Sequence, residues 1–317
     1  MKILSVFITS NKVNFLLNLE GKFKFETFSF YPFFQEKDAL EFLVSSYLRS
    51  LALRIEDVTI IPISTIYNYT IFGKRVNFLS VELQNKNDFL YIYLDNLNLY
   101  STKNISLTSF DLSTRSDNYI SNRSVYSSNK FTGDIEEIVY LSKSLNDSYK
   151  TEFKKIVFGG DYFTNREIPN EFKLNLISEI LEQGFYEVYL DYENEYPNFL
   201  NLRNNSSIAL KSLDFEKFCY LITSTKNVEL LFEFQNKQKY LNLKQNETYF
   251  LNFDNNVQLK LKYKGKDIGN NETILDSDFS GLFIDLRDRN EKKRNLGVES
   301  FRKVLASIEK NHDYTSL

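Results

Sequence analysis

Between Lys154 and Asp191 the chain places a short apolar run, an amphipathic stretch and a second apolar run in immediate succession. Ile156, Val157 and Phe158 make a strand that runs into Gly159-Gly160. After a polar turn, Pro169-Asn170 opens a helix whose Leu174, Ile177 and Leu181 recur at helical spacing. Gly184 is expected to end that helix in a left-handed conformation, and Phe185 to Leu190 to form a second strand closing on Asp191. Strand, crossover helix and strand make the unit of a parallel sheet covered on both faces. Open α/β sheets hold ligands at the carboxyl ends of their strands, so the glycine pair is the first candidate site.

The rest of the chain can be ordered around that unit. Lys2–Thr9, Lys12–Leu19 and Lys22–Phe30 alternate as an antiparallel meander turning at Ser10-Asn11. Residues 35–53 read as a helix with Leu40, Val44, Tyr47, Leu48 and Leu51 on one face. Val58–Ile63 is almost wholly apolar, as a strand inside a covered sheet is. Phe89–Leu94 turns at Asp95 into Leu99–Thr102, and residues 105–110 extend that hairpin. A polar loop is expected over 111–129 and a helix over 132–145. Tyr192–Asn205 is polar and irregular, and Ile208–Leu213 closes the first domain as a helix or a strand. From Val228 the pattern is short strands with turns between, namely 229–234, 238–243, 248–253, 257–263 and 281–286. That spacing predicts a small β-sandwich or barrel-like module, followed by a helix over 297–311. Two domains are therefore expected, 1–213 and 225–317, which suits 317 residues.

Composition excludes several classes. With 42% apolar and 26% charged residues the chain can bury a core. A net charge of −3 provides no general field for nucleic acid. One cysteine, Cys219, rules out an internal disulfide and any multi-cysteine metal site, and its apolar neighbours suit a buried, inert thiol. No apolar run reaches the length of a membrane span, and residues 1–15 lack a long apolar signal region, so a cytoplasmic protein is expected.

A meander, a helix, a second hairpin beginning at an Asp, and a strand ending in Gly-Gly resemble the actin-like ATPases. Within that superfamily the chain is most similar to the accessory family of glutamate mutase and related bacterial chains. The residues that carry the likeness are Ile156-Val157-Phe158-Gly159-Gly160, the run Phe185 to Asp191, and the run Gly281 to Arg289. The resemblance implies an actin-like, ribonuclease-H-like mixed sheet with flanking helices, followed by the β module and terminal helix. It also implies a site for ATP and magnesium, in which the Gly159-Gly160 turn faces the nucleoside and Asp95 is the one remaining metal or water-positioning carboxylate. The departures are as specific. The first hairpin of that superfamily resembles Asp-X-Gly-X-Thr, and the corresponding turn here, Val6 to Asn11, has neither the Asp nor the Gly. The second, Leu94 to Leu99, keeps Asp95 and no glycine. Without glycine the backbone cannot approach phosphate closely, and one carboxylate is a poor magnesium site. A non-hydrolysing scaffold or interaction subunit is therefore expected, with an active nucleotide-binding ATPase or switch as the alternative.

Each candidate has a plainer counterpart. Gly159-Gly160 also suits a strand-to-loop turn, and Asp95 an Asx-turn. Asp276-Ser277-Asp278 opens like a calcium loop, but Arg287 stands where the bidentate Glu is required. Asp191, Glu193 and Glu195 form an acidic run best read as a solvated loop. His312, the single histidine, lies in a polar tail and supports no triad. Arg287, Arg289 and the basic residues up to Arg294 suit either a docking surface for an acidic partner or anionic membrane, or a solvated connector. Phe301 belongs to a stripe that packs on its own module or anchors in a partner's groove. Exposed tyrosines of the β module admit a further alternative, a glycan ligand.

Overall fold

The structure, a computed structural model, describes residues 2–9, 12–29, 37–64, 70–78, 89–95, 98–101, 153–164, 166, 168, 170–205, 215–234, 237–252, 259–276 and 278–288. The segments expected over 105–110, 111–129, 132–145, 208–213 and 297–311, with Arg289, Phe301 and His312, lie outside the described residues.

In chain order the elements are β1 (Lys2–Ile8), β2 (Lys12–Leu19), β3 (Lys22–Ser29), α1 (Lys37–Ser50), a 3-10 turn (Ile55–Asp57), β4 (Thr59–Ser64), β5 (Thr70–Ile71), β6 (Lys74–Arg75), β7 (Asn77–Phe78), β8 (Leu90–Asp95) and β9 (Asn98–Ser101). There follow β10 (Lys155–Gly159), α2 (Asp161–Thr164), α3 (Asn170–Ile180), β11 (Gly184–Leu190), α4 (Glu195–Asn205), β12 (Glu216–Thr223), β13 (Val228–Phe234), β14 (Lys237–Leu243), β15 (Thr248–Asn252), β16 (Leu259–Gly265), β17 (Gly269–Leu275) and β18 (Gly281–Asp285). They divide into two compact units. The first takes its described residues from Met1–Leu107, Val157–Asn165 and Asp191–Glu216; the second takes the remainder.

The first unit carries a sheet of order β3-β2-β1-β4-β7, antiparallel through the meander and parallel from β1 to β4 to β7. An antiparallel triplet continued by parallel strands in the order 3-2-1-4-5 is the ribonuclease-H-like arrangement on which actin-like folds are built. Both faces of this sheet are covered, which is why β1 and β2 read as nearly unbroken apolar runs. Leu4, Val6, Ile8, Phe15 and Leu17 pack against Leu40, Val44, Tyr47 and Leu48 of α1. Ile3, Leu16 and Ile61 face the other way, against Phe199 and Leu202 of α4.

That second layer corrects the expectation of an irregular 192–205. Residues Glu195–Asn205 are helical, and the polar residues that hide the helix are used inside it. Asn198 Oδ1 accepts from the Ser5 hydroxyl at 2.7 Å. Asn201 Nδ2 donates to Ser5 Oγ at 2.9 Å and to the Ile61 carbonyl at 2.8 Å. Buried amides are tolerated where their bonds are met, and here they pin the helix to the sheet.

The second unit carries the strand run β11-β12-β18-β15 and a separate antiparallel sheet of order β14-β13-β16-β17. Tyr220, Ile222, Leu251, Leu282 and Ile284 from the first set share one core with Val228, Leu230, Phe232, Leu261 and Tyr263 from the second. Strands β15 and β18, expected among the strands of the β module, thus pair in a sheet with β12, whose residues the sequence presents only as an apolar run. β17 is a further strand that its polar sequence does not announce. Gly184 does not end the helix; it is the first residue of β11, and the helix stops at Ile180.

Candidate functional site

The carboxyl end of β10 is built from residues of the first unit alone. Gly159 and Gly160 are both buried there. Gly160 has φ +103°, a conformation side chains rarely adopt, and a Cβ on it would collide with the Leu94 backbone. A Cβ on Gly159 would strike the hydroxyl and ring of Tyr91. The glycine pair therefore exists so that β10 can pass close to β8. The Gly160 amide is also engaged, donating to Asn194 Oδ1 at 2.7 Å. Asn194 itself sits at φ 53°, in the left-handed region that asparagine tolerates better than most residues.

Asp191 is the hub beside this corner. Its side chain, expected in a solvated loop, lies in a residue only 4% exposed. Its amide donates to the Phe158 carbonyl at 2.8 Å, continuing the register of β10. Its carboxylate accepts three bonds: the Tyr91 hydroxyl at 2.8 Å, the Glu195 amide at 2.9 Å and the Tyr196 amide at 3.0 Å. The two amides are the otherwise unpaired donors of the first turn of α4, so Asp191 caps the helix. Burial pushes the carboxyl up to about 6, against the three hydrogen bonds that pull it down. Burial and the neighbouring carboxylate together push the Tyr91 hydroxyl well above its ordinary value. The Tyr91 ring also packs on Tyr196, with centroids 4.4 Å apart. Tyr91 and Asn194 carry no motif that singles them out in the sequence; only an Asp four residues before a helix start hints at the cap.

The two hairpins that the resemblance assigns to phosphate are tight. Thr9 and Lys12 close the first by mutual bonds, Thr9 N to the Lys12 carbonyl at 2.9 Å and Lys12 N to the Thr9 hydroxyl at 3.0 Å. In the second, Asp95 is the last residue of β8, standing opposite Asn98 of β9. The structure thus brings Gly159 and Gly160 against the end of β8, where Leu94 precedes Asp95.

Arg287 is elsewhere, in the second unit, and is turned inward. Its side chain is 15% exposed and bonds Asp285 through both Nε, at 2.9 Å, and Nη2, at 2.8 Å. The same Nη2 reaches Asn175 Oδ1 at 2.7 Å and Glu179 Oε1 at 3.3 Å on α3. Burial works against the guanidinium charge, but Asp285 and Glu179 outweigh it and hold the pKa above its ordinary value. Expected at a docking surface or in a solvated connector, Arg287 instead ties the end of β18 to a helix. Arg289 and Phe301 lie outside the described residues.

The calcium-like run is explained by a lysine. Lys217 Nζ lies 2.5 Å from Asp276 Oδ2 and 2.7 Å from Asp278 Oδ2, filling the place between the carboxylates with its own ammonium. Among the described residues no group of three or more His, Cys, Asp or Glu is placed to hold a metal ion. Cys219 is buried, and burial pushes its thiol well above the ordinary value, as expected of an inert cysteine. Among the described residues no helix is long and apolar enough to cross a membrane.

No family model and no curated protein matches the chain. Solved structures similar to it include a proposed N-acetylmannosamine kinase of Listeria monocytogenes, at 10% identity over 65% of this chain and 100% of the other, with a TM-score of 0.34. A ROK-family protein of Streptococcus pneumoniae aligns at 8% identity over 66% of this chain and 100% of the other, with a TM-score of 0.32. A Ppx/GppA-family protein of Aquifex aeolicus aligns at 9% identity over 52% of this chain and 67% of the other, with a TM-score of 0.24. Likeness this slight says nothing of what the present chain binds. Its α/β class and ribonuclease-H-like sheet order rest on its own strand pairing.

Proposed function

We propose that the chain is a non-hydrolysing actin-like protein that works by binding other proteins within a larger assembly. The observation that carries this is the corner at Gly160. In the nucleotide-holding form of this topology, as the resemblance implies it, that corner meets a nucleoside. Here its amide donor is engaged by Asn194, its Cα face lies against Leu94, and the Tyr91 ring covers Gly159. The turn at Thr9 engages its own amides in the same way. Donors already satisfied inside the fold stabilise a phosphate only if those bonds are first broken, at about 1–3 kcal/mol for each buried group left unmet. A fold that keeps its sheet order while satisfying its former ligand-facing groups internally suits a scaffold.

The direct test is phosphate release by the purified full chain with millimolar magnesium-ATP, alongside affinity capture of the chain from its own cells. A rate no higher than the protein-free blank, together with one stoichiometric protein partner, is expected. ATP turnover that falls in Asp95→Ala would overturn the proposal in favour of an active ATPase or switch.

A further inference from the structure

We propose that the outer face of the β14-β13-β16-β17 sheet is a binding site for a neutral saccharide. The register sets Tyr240, Leu231, Lys262 and Glu272 side by side across the four strands. Alternate residues point inward to the core, so these four share the opposite face. A shallow cleft of about 340 Å³ lies there, lined by Tyr240 and Leu231 and rimmed by Glu229, Asn270, Asn271 and Glu272. That volume lies at the small end of the range of ligand sites.

Two features decide the class of ligand. The first is Tyr240, 58% exposed where most of the described large aromatics are buried or half-buried. Only Phe42 and Ile274 are comparably exposed among the described large apolar residues, and the register places Ile274 on this same face, on β17. Glu229 stands diagonally across from Tyr240 on β13, so a carboxylate lies beside the exposed ring. The second is charge. Glu229, Glu233 and Glu272 stand among Lys260, Lys262 and Lys264, opposite in register or paired directly. Lys262 meets Glu233 at 2.7 Å, and Lys260 meets Glu272 at 2.8 Å. Three charges of each sign leave no net field, which argues against a phosphate, a nucleic acid or an anionic membrane. What remains is an apolar ring and floor beside a rim of amides, carboxylates and the ammonium groups of Lys262 and Lys264 that balance them. A sugar ring presents the matching chemistry, with one C–H face to lie on the aromatic ring and hydroxyl groups to exchange hydrogen bonds with the rim.

The test uses the full chain on a panel of immobilised neutral polysaccharides and oligosaccharides, read by retention and then by titration. At least one neutral saccharide should bind, with affinity unchanged between 0.05 and ~0.5 M salt because no net charge is involved. Tyr240→Ala should weaken it about tenfold or more, while Tyr240→Phe keeps it within about threefold. Asn270→Ala should weaken it, and Phe42→Ala, an exposed aromatic in the other unit, should not. Melting curves confirm that each variant folds. No binding above the Tyr240→Ala level overturns the proposal, as does binding abolished by salt. A Tyr240→Ala variant that loses a dimer rather than a ligand overturns it in favour of a contact between copies of this chain.

Discussion

Asn194 accepts the amide proton of Gly160 across 2.7 Å, although the two stand 34 positions apart in the chain. Asn194→Ala leaves that buried amide unmet and puts alanine, which tolerates the left-handed region less well than asparagine, at φ 53°. It should cost about 1–3 kcal/mol for the amide and roughly 1–2 kcal/mol more for the backbone. Asn194→Gly keeps the backbone free and loses only the acceptor, so it should fall between the variant and the native chain. Urea denaturation separates the three. Equal midpoints for all of them would show that the bond contributes nothing.

The two glycines differ in what opposes a side chain. At Gly160 the obstacle is the Leu94 backbone together with a positive φ; at Gly159 it is the Tyr91 side chain, which can yield only at the expense of its bond to Asp191. Gly160→Ala should therefore lose more than about 3 kcal/mol or fail to fold, and Gly159→Ala should lose about 1–3 kcal/mol. The reverse order in thermal melts would contradict the close passage of β10 by β8.

Asp191 binds its proton more tightly folded, at about 6, than its ordinary value of 3.8. Between about 4 and 6 the native state holds more protons at this site than the unfolded chain does. Its contribution to stability is therefore full below that window and falls as pH rises through it. The check is unfolding free energy against pH for the native chain and Asp191→Asn. The stability difference should shift in favour of the native chain on going from pH 7 to pH 4. A difference that shifts against the native chain toward acid would reverse the sign assigned to burial.

Arg287→Met leaves the buried Asp285 and Glu179 without their cation. It should cost about 3–5 kcal/mol, most of it from the uncompensated charges rather than from the pair itself. Adding Asp285→Asn should recover part of the loss, a coupling that a double-mutant cycle reads directly. A surface arginine would show a change near zero and no coupling.

The parts of this fold that a sequence can announce are those where burial leaves a simple pattern. β1, β2, β10 and β11 are apolar runs and α1 and α3 carry a helical period, and each stands within a residue or two of its expected place, apart from the ends of α1 and α3. Helix α4 shows none, because its inward positions include Asn198 and Asn201, whose burial depends on Ser5 and Ile61 from strands far away in sequence. Short apolar runs between turn residues reveal β15 and β18 as strands but cannot say which sheet they join, since pairing is a tertiary choice. The glycine pair at the candidate site is conspicuous, while its occupants Tyr91 and Asn194 are ordinary residues made important by position. Arg287 misleads for the opposite reason: basic neighbours suggest solvent, and only the fold supplies Asp285 and Glu179.

The central claim is that the Gly160 corner is closed by the chain's own groups, and the melting temperature with and without millimolar magnesium-ATP tests it most directly. A ligand at a hundred times its dissociation constant stabilises a fold by about 2.7 kcal/mol, which a melt resolves readily. The native chain should melt at the same temperature in both conditions. A clear upward shift, lost in Asp95→Ala, would contradict the claim and make the corner a working nucleotide site.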